Sequence, residues 1–525
     1  MALLYIITIT AMVLGLLHFL GGRLASLSGP HQWAAAILLP VIATFGQTYL
    51  VFAAATIACI ALAPAIGREG IVLPAPSAID LRARMLVFCL PLMPIMTKTF
   101  MISGLTILQL NYVGLLAIGF CIALYRDSST RPATRLARWD MTFLLMMAVQ
   151  FVMDARGNDL TFSMRAFVQV IVNLGLPYFA ISRAFARARA PNELLFALLV
   201  SGCVIAAIAS FESERNWLLY DNISTRIGAD PELASGYVKQ RGGLLRGRAS
   251  FPESTGLSLL LGLLIVIQFA LRKQFPTRIS FLAVLFILGC GVFFTLARIG
   301  YIAVAVGLLA CCIAERRWGN LIGLILALPL CGSAILMLSK IFPVLAASIG
   351  ASNDAAGSID YRSELLSRGM DIVSDYWATG LSLSDIYARL ESLRQGEGII
   401  DLVNQPLTIF MRAGIPGGAL YFLMFVAVLA RTFGRIPRLP VETRATAVAA
   451  FSALLAILVS LTTTSFGRNE TTFIFLLAMG AGVVSRGVSR GVSLPSPVAK
   501  PRWTFRPRRP WAFTRIARDQ LHAAK

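Results

Sequence analysis

Apolar blocks about as long as a bilayer is thick recur along this chain, and in the short turns between them most charges are arginine or lysine. A helix needs about 20 apolar residues, within roughly 17–25, to cross the hydrocarbon core. Leu3–Leu20, Leu194–Phe211, Gly256–Leu271, Ile279–Ala297, Ile299–Ala314, Leu321–Leu338, Leu407–Ala430, Ala445–Thr464 and Thr471–Ser485 read as such blocks. Met141–Met153 and Ala166–Ser182 form a shorter pair. Met85–Leu124 reads as two spans turning near Lys98 and Gly104, and Trp33–Ile66 as a kinked or re-entrant segment broken at Pro40 and Gly46. The expectation is an all-α polytopic integral membrane protein with roughly 12–14 transmembrane helices.

Only 14% of the residues are charged, against about 25% in soluble domains. The net charge of +21 would suggest nucleic acid in a soluble protein, but here it follows the positive-inside pattern. Arg126, Arg131, Arg135 and Arg138 fill one turn, Arg183, Arg187 and Arg189 another, Arg272, Lys273 and Arg278 a third, and Arg431, Arg435, Arg438 and Arg444 a fourth. If these turns are cytoplasmic, parity puts two long polar loops, 212–255 and 340–405, outside the cytoplasm. The chain then divides into N-terminal spans (1–211), a first outer loop (212–255), central spans (256–339), a second outer loop with two short helices (340–405), C-terminal spans (406–485) and a basic cytoplasmic tail (486–525). In the tail, Arg502–Arg518 interleaves basic and aromatic residues, which suits anionic lipid headgroups better than nucleic acid.

The first block has no basic leader or clear cleavage site, so it reads as a retained helix. The eight cysteines fall in or beside apolar blocks, which argues against a disulfide framework or a thiolate metal site. The histidines, His18, His31 and His522, all lie outside the two long loops, so a Ser-His nucleophile or metal catalysis there is not expected. No internal repeat of the kind that builds many transporters is evident.

Chemistry-bearing residues concentrate in and beside the two loops. Gln240–Gly256 carries Arg246 and Arg248, suited to bidentate phosphate binding, just before Pro252-Glu253-Ser254 at the start of a span. Glu253 reads as a base or as a simple helix-end charge. Arg298 is a lone charge in the apolar run Phe293–Val306, facing a ligand or snorkelling to headgroups. In the second loop, Ser358 and Gly380 read as the caps of one helix, and Ser382 with Asp385 as the capping box of the next. At helical spacing Arg362 aligns with Leu366, Met370, Val373 and Trp377, which reads as a buried stripe in need of an anionic partner.

Three stretches resemble the O-antigen ligase and polymerase superfamily, including Wzy-type polysaccharide polymerases. They are LRGRASFPESTGLS (from Leu245), LARIGYIAVAVGL (from Leu296), and YRSELLSRGMDIVSDYWATG (from Tyr361) followed by LVNQPLTIFMRAGIPGGALYF (Leu402–Phe422). Ligase-type relatives have a histidine before the asparagine; this chain has Val403 before Asn404, which fits a polymerase, as does Pro252-Glu253-Ser254.

The resemblance implies a metal-independent, cofactor-free membrane glycosyltransferase of the exopolysaccharide branch, in the bacterial inner membrane with its active side periplasmic. Its substrate would be an undecaprenyl-diphosphate-linked oligosaccharide, with membrane lipid, a chain-length regulator and export machinery as further partners. Glu253, Arg298 and Arg362 are the expected catalytic residues, and Arg246, Arg248, Arg368 and Asn404 the expected substrate-binding ones. A ligase of the same superfamily and a transporter or flippase are the alternatives.

Overall fold

The computed structural model describes residues 97–102, 105–111, 138–188, 190–218, 240–241, 243–275, 277–342, 354–394, 400–465 and 470–485, with scattered positions between 83 and 124 and between 345 and 348. The expected segments Leu3–Leu20 and Trp33–Ile66, the three histidines and the basic tail lie outside the described residues.

The middle of Met85–Leu124 is not a pair of spans. It forms an antiparallel hairpin, β1 (Thr97–Ile102) with β2 (Leu105–Asn111), in which Thr97 stands opposite Asn111. β-Branched residues flank a two-residue Ser-Gly connection, a local hairpin signal that mean hydropathy conceals.

From Arg138 onward the described chain is mostly helical. In order come α1 (Arg138–Ala155), α2 (Leu160–Val170), a π-turn (Ile171–Gly175), α3 (Leu176–Arg187), α4 (Pro191–Arg215), α5 (Ser254–Ala270), α6 (Arg278–Phe294), α7 (Ile299–Ala314) and α8 (Trp318–Ser339). There follow α9 (Asp354–Asp375), α10 (Leu383–Arg389), α11 (Gln405–Arg435), α12 (Val441–Ser460) and α13 (Glu470–Ser485). Among the described residues, five helical segments are long and apolar enough to cross a membrane: Leu160–Arg187, Pro191–Arg215, Trp318–Ser339, Gln405–Arg438 and Thr443–Ser460. α5, α6, α7 and most of α13 are shorter apolar helices in the same bundle.

Helices α5, α7 and α12 pack on one another at the centre, with α4 against α6, α3 against α13 and α1 against α11 around them. A Cβ on Gly262 of α5 would come within 2.5 Å of the Gly300 carbonyl oxygen on α7, so only glycine lets these backbones meet. Between α1 and α3 a buried ion pair, Arg183 Nη2 to Asp140 Oδ2 at 2.6 Å, also receives the Tyr178 hydroxyl. Removing either partner would strand a buried charge.

Side-chain contacts show which helix ends lie together. Arg272 at the end of α5 pairs with Glu315 after α7, and Arg317 pairs with the same carboxylate at 2.9 Å. Asn192 of α4 accepts from Thr446 of α12, and Arg435 at the end of α11 donates to the carbonyl of Val484 at the end of α13. Among the described residues, the basic turns at 272–278 and 315–317 meet each other, and the ends of α11 and α13 meet near the start of α12.

At the opposite ends a small cap sits on the bundle. Leu365, Ile372, Ile386, Leu390, Leu407 and Met411 form its separate apolar core, drawn from α9, α10 and the first turns of α11. Burying each such side chain contributes about 1.5–3 kcal/mol. Ser382 caps α10 as expected, accepting from the Asp385 amide at 3.2 Å. Ser358 does not begin α9, which starts four residues earlier at Asp354.

One junction between the cap and the bundle is built on two glycines. Gly414 (φ 68°) breaks α11 into a cap part and a bundle part, and Gly380 (φ 67°) follows α9. Their backbones interlock: Leu381 N donates to Met411 O at 2.8 Å and Ile415 N to Trp377 O at 2.6 Å. A Cβ on Gly380 would lie 2.4 Å from the Arg412 carbonyl carbon, and one on Gly414 2.6 Å from the Trp377 oxygen. Both positions combine a left-handed backbone with direct contact, which glycine alone accommodates.

Candidate active site

At the capped end, α6 stops at Phe294 and leaves carbonyls without helical partners. The end of the first long loop covers them. β3 (Gln240–Arg241) pairs with β4 (Leu244–Leu245) through a tight turn at Gly243. Arg241 donates to Leu296 O at 2.9 Å, Arg246 Nε to Thr295 O at 3.3 Å, and Gly247 N to Phe294 O at 3.1 Å. Cations at a helix C-terminus also complement its dipole. Burial, followed by repulsion from Arg241, pulls the Arg246 guanidinium down to about 10, while Glu253 opposes the shift.

Arg248 is buried, and its guanidinium donates to Pro252 O at 3.1 Å. Its backbone is held by Glu212, whose Oε2 accepts from the amides of Arg248 and Ala249 at 2.9 and 2.8 Å. Glu212 itself is fully buried. It belongs to α4, which runs through to Arg215, rather than to a loop beginning at residue 212. The carboxylate thus fixes a turn in which Ala249 adopts φ 45°.

Glu253 is exposed at the N-cap of α5, with no side-chain capping bond. Arg298 occupies the N-cap of α7 and is exposed. Its turn is pinned to α5 where Ser258 Oγ donates to Ala297 O at 2.9 Å. Arg298 therefore stands at a helix start, between the two apolar blocks. Beside this turn, Glu214, Leu244, Phe293, Phe294, Phe342 and Leu345 line an open, mainly apolar cavity of about 540 Å³.

The cap supplies the remaining expected residues. Asn404 caps α11, its Oδ1 accepting from Leu407 N at 3.1 Å. Gln405 N donates to Leu461 O at 3.0 Å and Thr464 O at 3.1 Å, which fastens this turn to the end of α12. Since α12 packs against both α5 and α7, Asn404 shares the end of the bundle that carries Glu253 and Arg298.

On α9 the stripe holding Arg362 is not buried. Leu366, Met370 and Trp377 are 48%, 54% and 57% exposed, Arg362 is exposed with them, and the core side is instead Leu365, Ile372 and Val373. The apolar sector is wider than the cap core, so its outer half is left uncovered. Arg368 forms a surface pair with Glu364 at 2.6 Å and donates to Ser392. Exposed pairs at this spacing contribute only about 0.3–0.5 kcal/mol.

A second charged group at the junction escaped the sequence reading. Arg412 donates to Met153 O at 2.7 Å and Asp154 Oδ1 at 2.8 Å, and Gln150 donates to the other Asp154 oxygen at 2.9 Å. Arg156 reaches Thr379 O and, at 3.2 Å, Arg412 O. Glu470 stands just before the apolar run of α13. Desolvation and then the Asp154 charge push its carboxyl up to about 7, against Arg412. The available signal was Arg412 itself, a lone arginine within an apolar run.

A helical bundle with membrane-length apolar segments, capped at one end by arginine-bearing helices, defines an all-α integral membrane protein. A family model described as O-antigen ligase matches residues 281–422, from α6 into the bundle part of α11. The match supports the O-antigen ligase and polymerase superfamily and, with it, glycan transfer of that general type. It spans Arg298, Arg362, Arg368 and Asn404, but not Arg246, Arg248 or Glu253. No curated protein matches the chain.

Proposed function

We propose that this protein polymerises undecaprenyl-diphosphate-linked repeat units into an exopolysaccharide or O-antigen-like glycan, at the periplasmic face of the bacterial inner membrane. The observation that carries the reading is the gathering of Arg246, Arg248, Arg298 and Glu253 at the capped end, beside the turn that holds Asn404. The basic turns at the other end support a cytoplasmic assignment for that side.

Transfer of a glycan from a lipid diphosphate breaks the bond between the anomeric carbon and the phosphate oxygen and forms one to an acceptor hydroxyl. Negative charge grows on the departing diphosphate, and guanidinium groups held at its site stabilise it. Arg298 and Arg362 take that role in this scheme, with Arg246, Arg248 and Arg368 holding the phosphates and Asn404 the sugar. Arginine supplies the counter-charge, so no step needs a metal. Glu253, exposed and without a capping bond, accepts the acceptor hydroxyl proton.

Val403 favours polymerisation over ligation: it packs against the cap core and offers no group to a sugar. The ligase reading draws on the description of the matching family. Cells lacking the protein separate the two. Accumulation of single lipid-linked repeats supports polymerisation, whereas accumulation of long lipid-linked chains overturns it in favour of ligation.

A further inference from the structure

The exposed half of the α9 apolar sector has a geometry that the transfer reaction does not use. At about 100° per residue, α9 presents three sectors. Leu365 and Ile372 face the cap core, with Val373 buried at the boundary; Leu366 and Met370 form an exposed apolar line that Trp377 continues in the turn after α9, and Glu364, Asp371 and Asp375 lie about 140° round from that line. A helix wholly surrounded by water would gain nothing from the middle sector. A helix lying along a membrane surface has three distinct environments to satisfy, and these sectors match them.

Continuity identifies the occupant. The carbonyl of Trp377 accepts from the amide of Ile415, where the bundle part of α11 begins. Ile415 is 49% exposed and heads the outward apolar belt of α11, which continues at Leu423 and Val426. The line on α9 is therefore an extension of a surface that already faces lipid chains. The polar groups agree: the acidic sector points away from the line, while Arg362 stands at its head, where a guanidinium can reach lipid phosphates. Trp377, at the junction, is the residue type enriched at the depth of the headgroups.

We infer that α9 is an interfacial helix whose Leu366–Met370–Trp377 line is seated in the lipid leaflet at the capped end, so that the cap rests on the membrane and not only on the bundle. This depends on the protein spanning a membrane and not on the reaction it catalyses.

The test is tryptophan quenching in proteoliposomes of phosphatidylethanolamine and phosphatidylglycerol, with acyl chains brominated either near the headgroup or near the chain end. The Trp377 contribution is the difference between wild type and Trp377→Phe, which keeps an aromatic ring. Lipid brominated near the headgroup should remove most of that emission, lipid brominated near the chain end should remove little, and aqueous acrylamide should have little effect. Met370→Trp in the Trp377→Phe background reads a second position on the line and should behave alike. If Trp377→Phe does not fold, Met370→Trp minus wild type gives the same reading. Quenching by acrylamide without quenching by lipid would put the line in water. Protection from both quenchers would mean that protein, such as a second copy of the chain, covers it. Either result overturns the inference.

Discussion

Replacing Glu212 by alanine tests whether the arginine-bearing strip is built by the bundle or merely rests on it. The Glu212 carboxylate is buried and accepts two backbone amides, from Arg248 and Ala249. Each amide left unpaired in a buried place costs about 1–3 kcal/mol. Losing both therefore costs about 2–6 kcal/mol, and the left-handed turn at Ala249, roughly 1–2 kcal/mol uphill, loses its restraint. Taking about 3 kcal/mol as retained after local relaxation, the strip should open on the order of 100 times more often.

Limited trypsin digestion of the reconstituted protein reads this directly, since Arg241, Arg246 and Arg248 are all in the strip. Cleavage after these residues should accelerate by about two orders of magnitude in Glu212→Ala, with cleavage elsewhere unchanged. Glu212→Gln keeps an acceptor oxygen and should fall between the two. Glu212→Ala protein that is cut no faster than wild type, and still yields normal polymer, would refute the role given to this carboxylate.

Other expectations follow from the same contacts. Arg298→Ala and Arg362→Ala should each abolish polymer while membrane levels stay normal; wild-type yield from both removes them from the site. Full activity in Glu253→Gln would leave Glu253 as a helix-end charge only. Gly414→Ala must fit a Cβ 2.6 Å from Trp377 O at φ 68°, so it should lower cap stability by at least about 1–3 kcal/mol, measured by hydrogen exchange in α9 and α10. Glu470 is raised to about 7, above its unfolded value, so the folded state binds the extra proton between about pH 4.5 and 7. Stability should fall as pH rises through that window and level off above it, and Glu470→Gln should flatten the slope in thermal melts at fixed ionic strength.

The sequence reading succeeded where one physical rule dominates. Apolar length and arginine turns located the helices from Arg138 onward, because a bilayer leaves the backbone few options. The hairpin at Thr97–Asn111 was missed because it lies between apolar runs that read as spans, while its own Lys98, Gln109 and Asn111 and its β-branched residues distinguish it from them. Arg298 was found as a lone charge, and the structure puts it at a helix start. Arg362 was assigned to the wrong environment: its neighbours are apolar, but periodicity alone cannot say which half of a wide apolar sector meets a core. Glu212 and Arg412 were overlooked because the partners that give them their place, the Arg248 amide and the Asp154 carboxylate, lie 36 and 258 positions away in the chain.

The seat of the cap has a consequence for how such a protein can change. Gly380 and Gly414 join cap to bundle largely through main-chain atoms, with Arg156 and Arg412 also gripping carbonyl oxygens. Such a joint is indifferent to most side chains on the cap's outer surface. New residues can accumulate there without refitting the bundle. The cap behaves as an interchangeable head on a fixed mount, and chimaeras exchanged at these two glycines are where that freedom would show first.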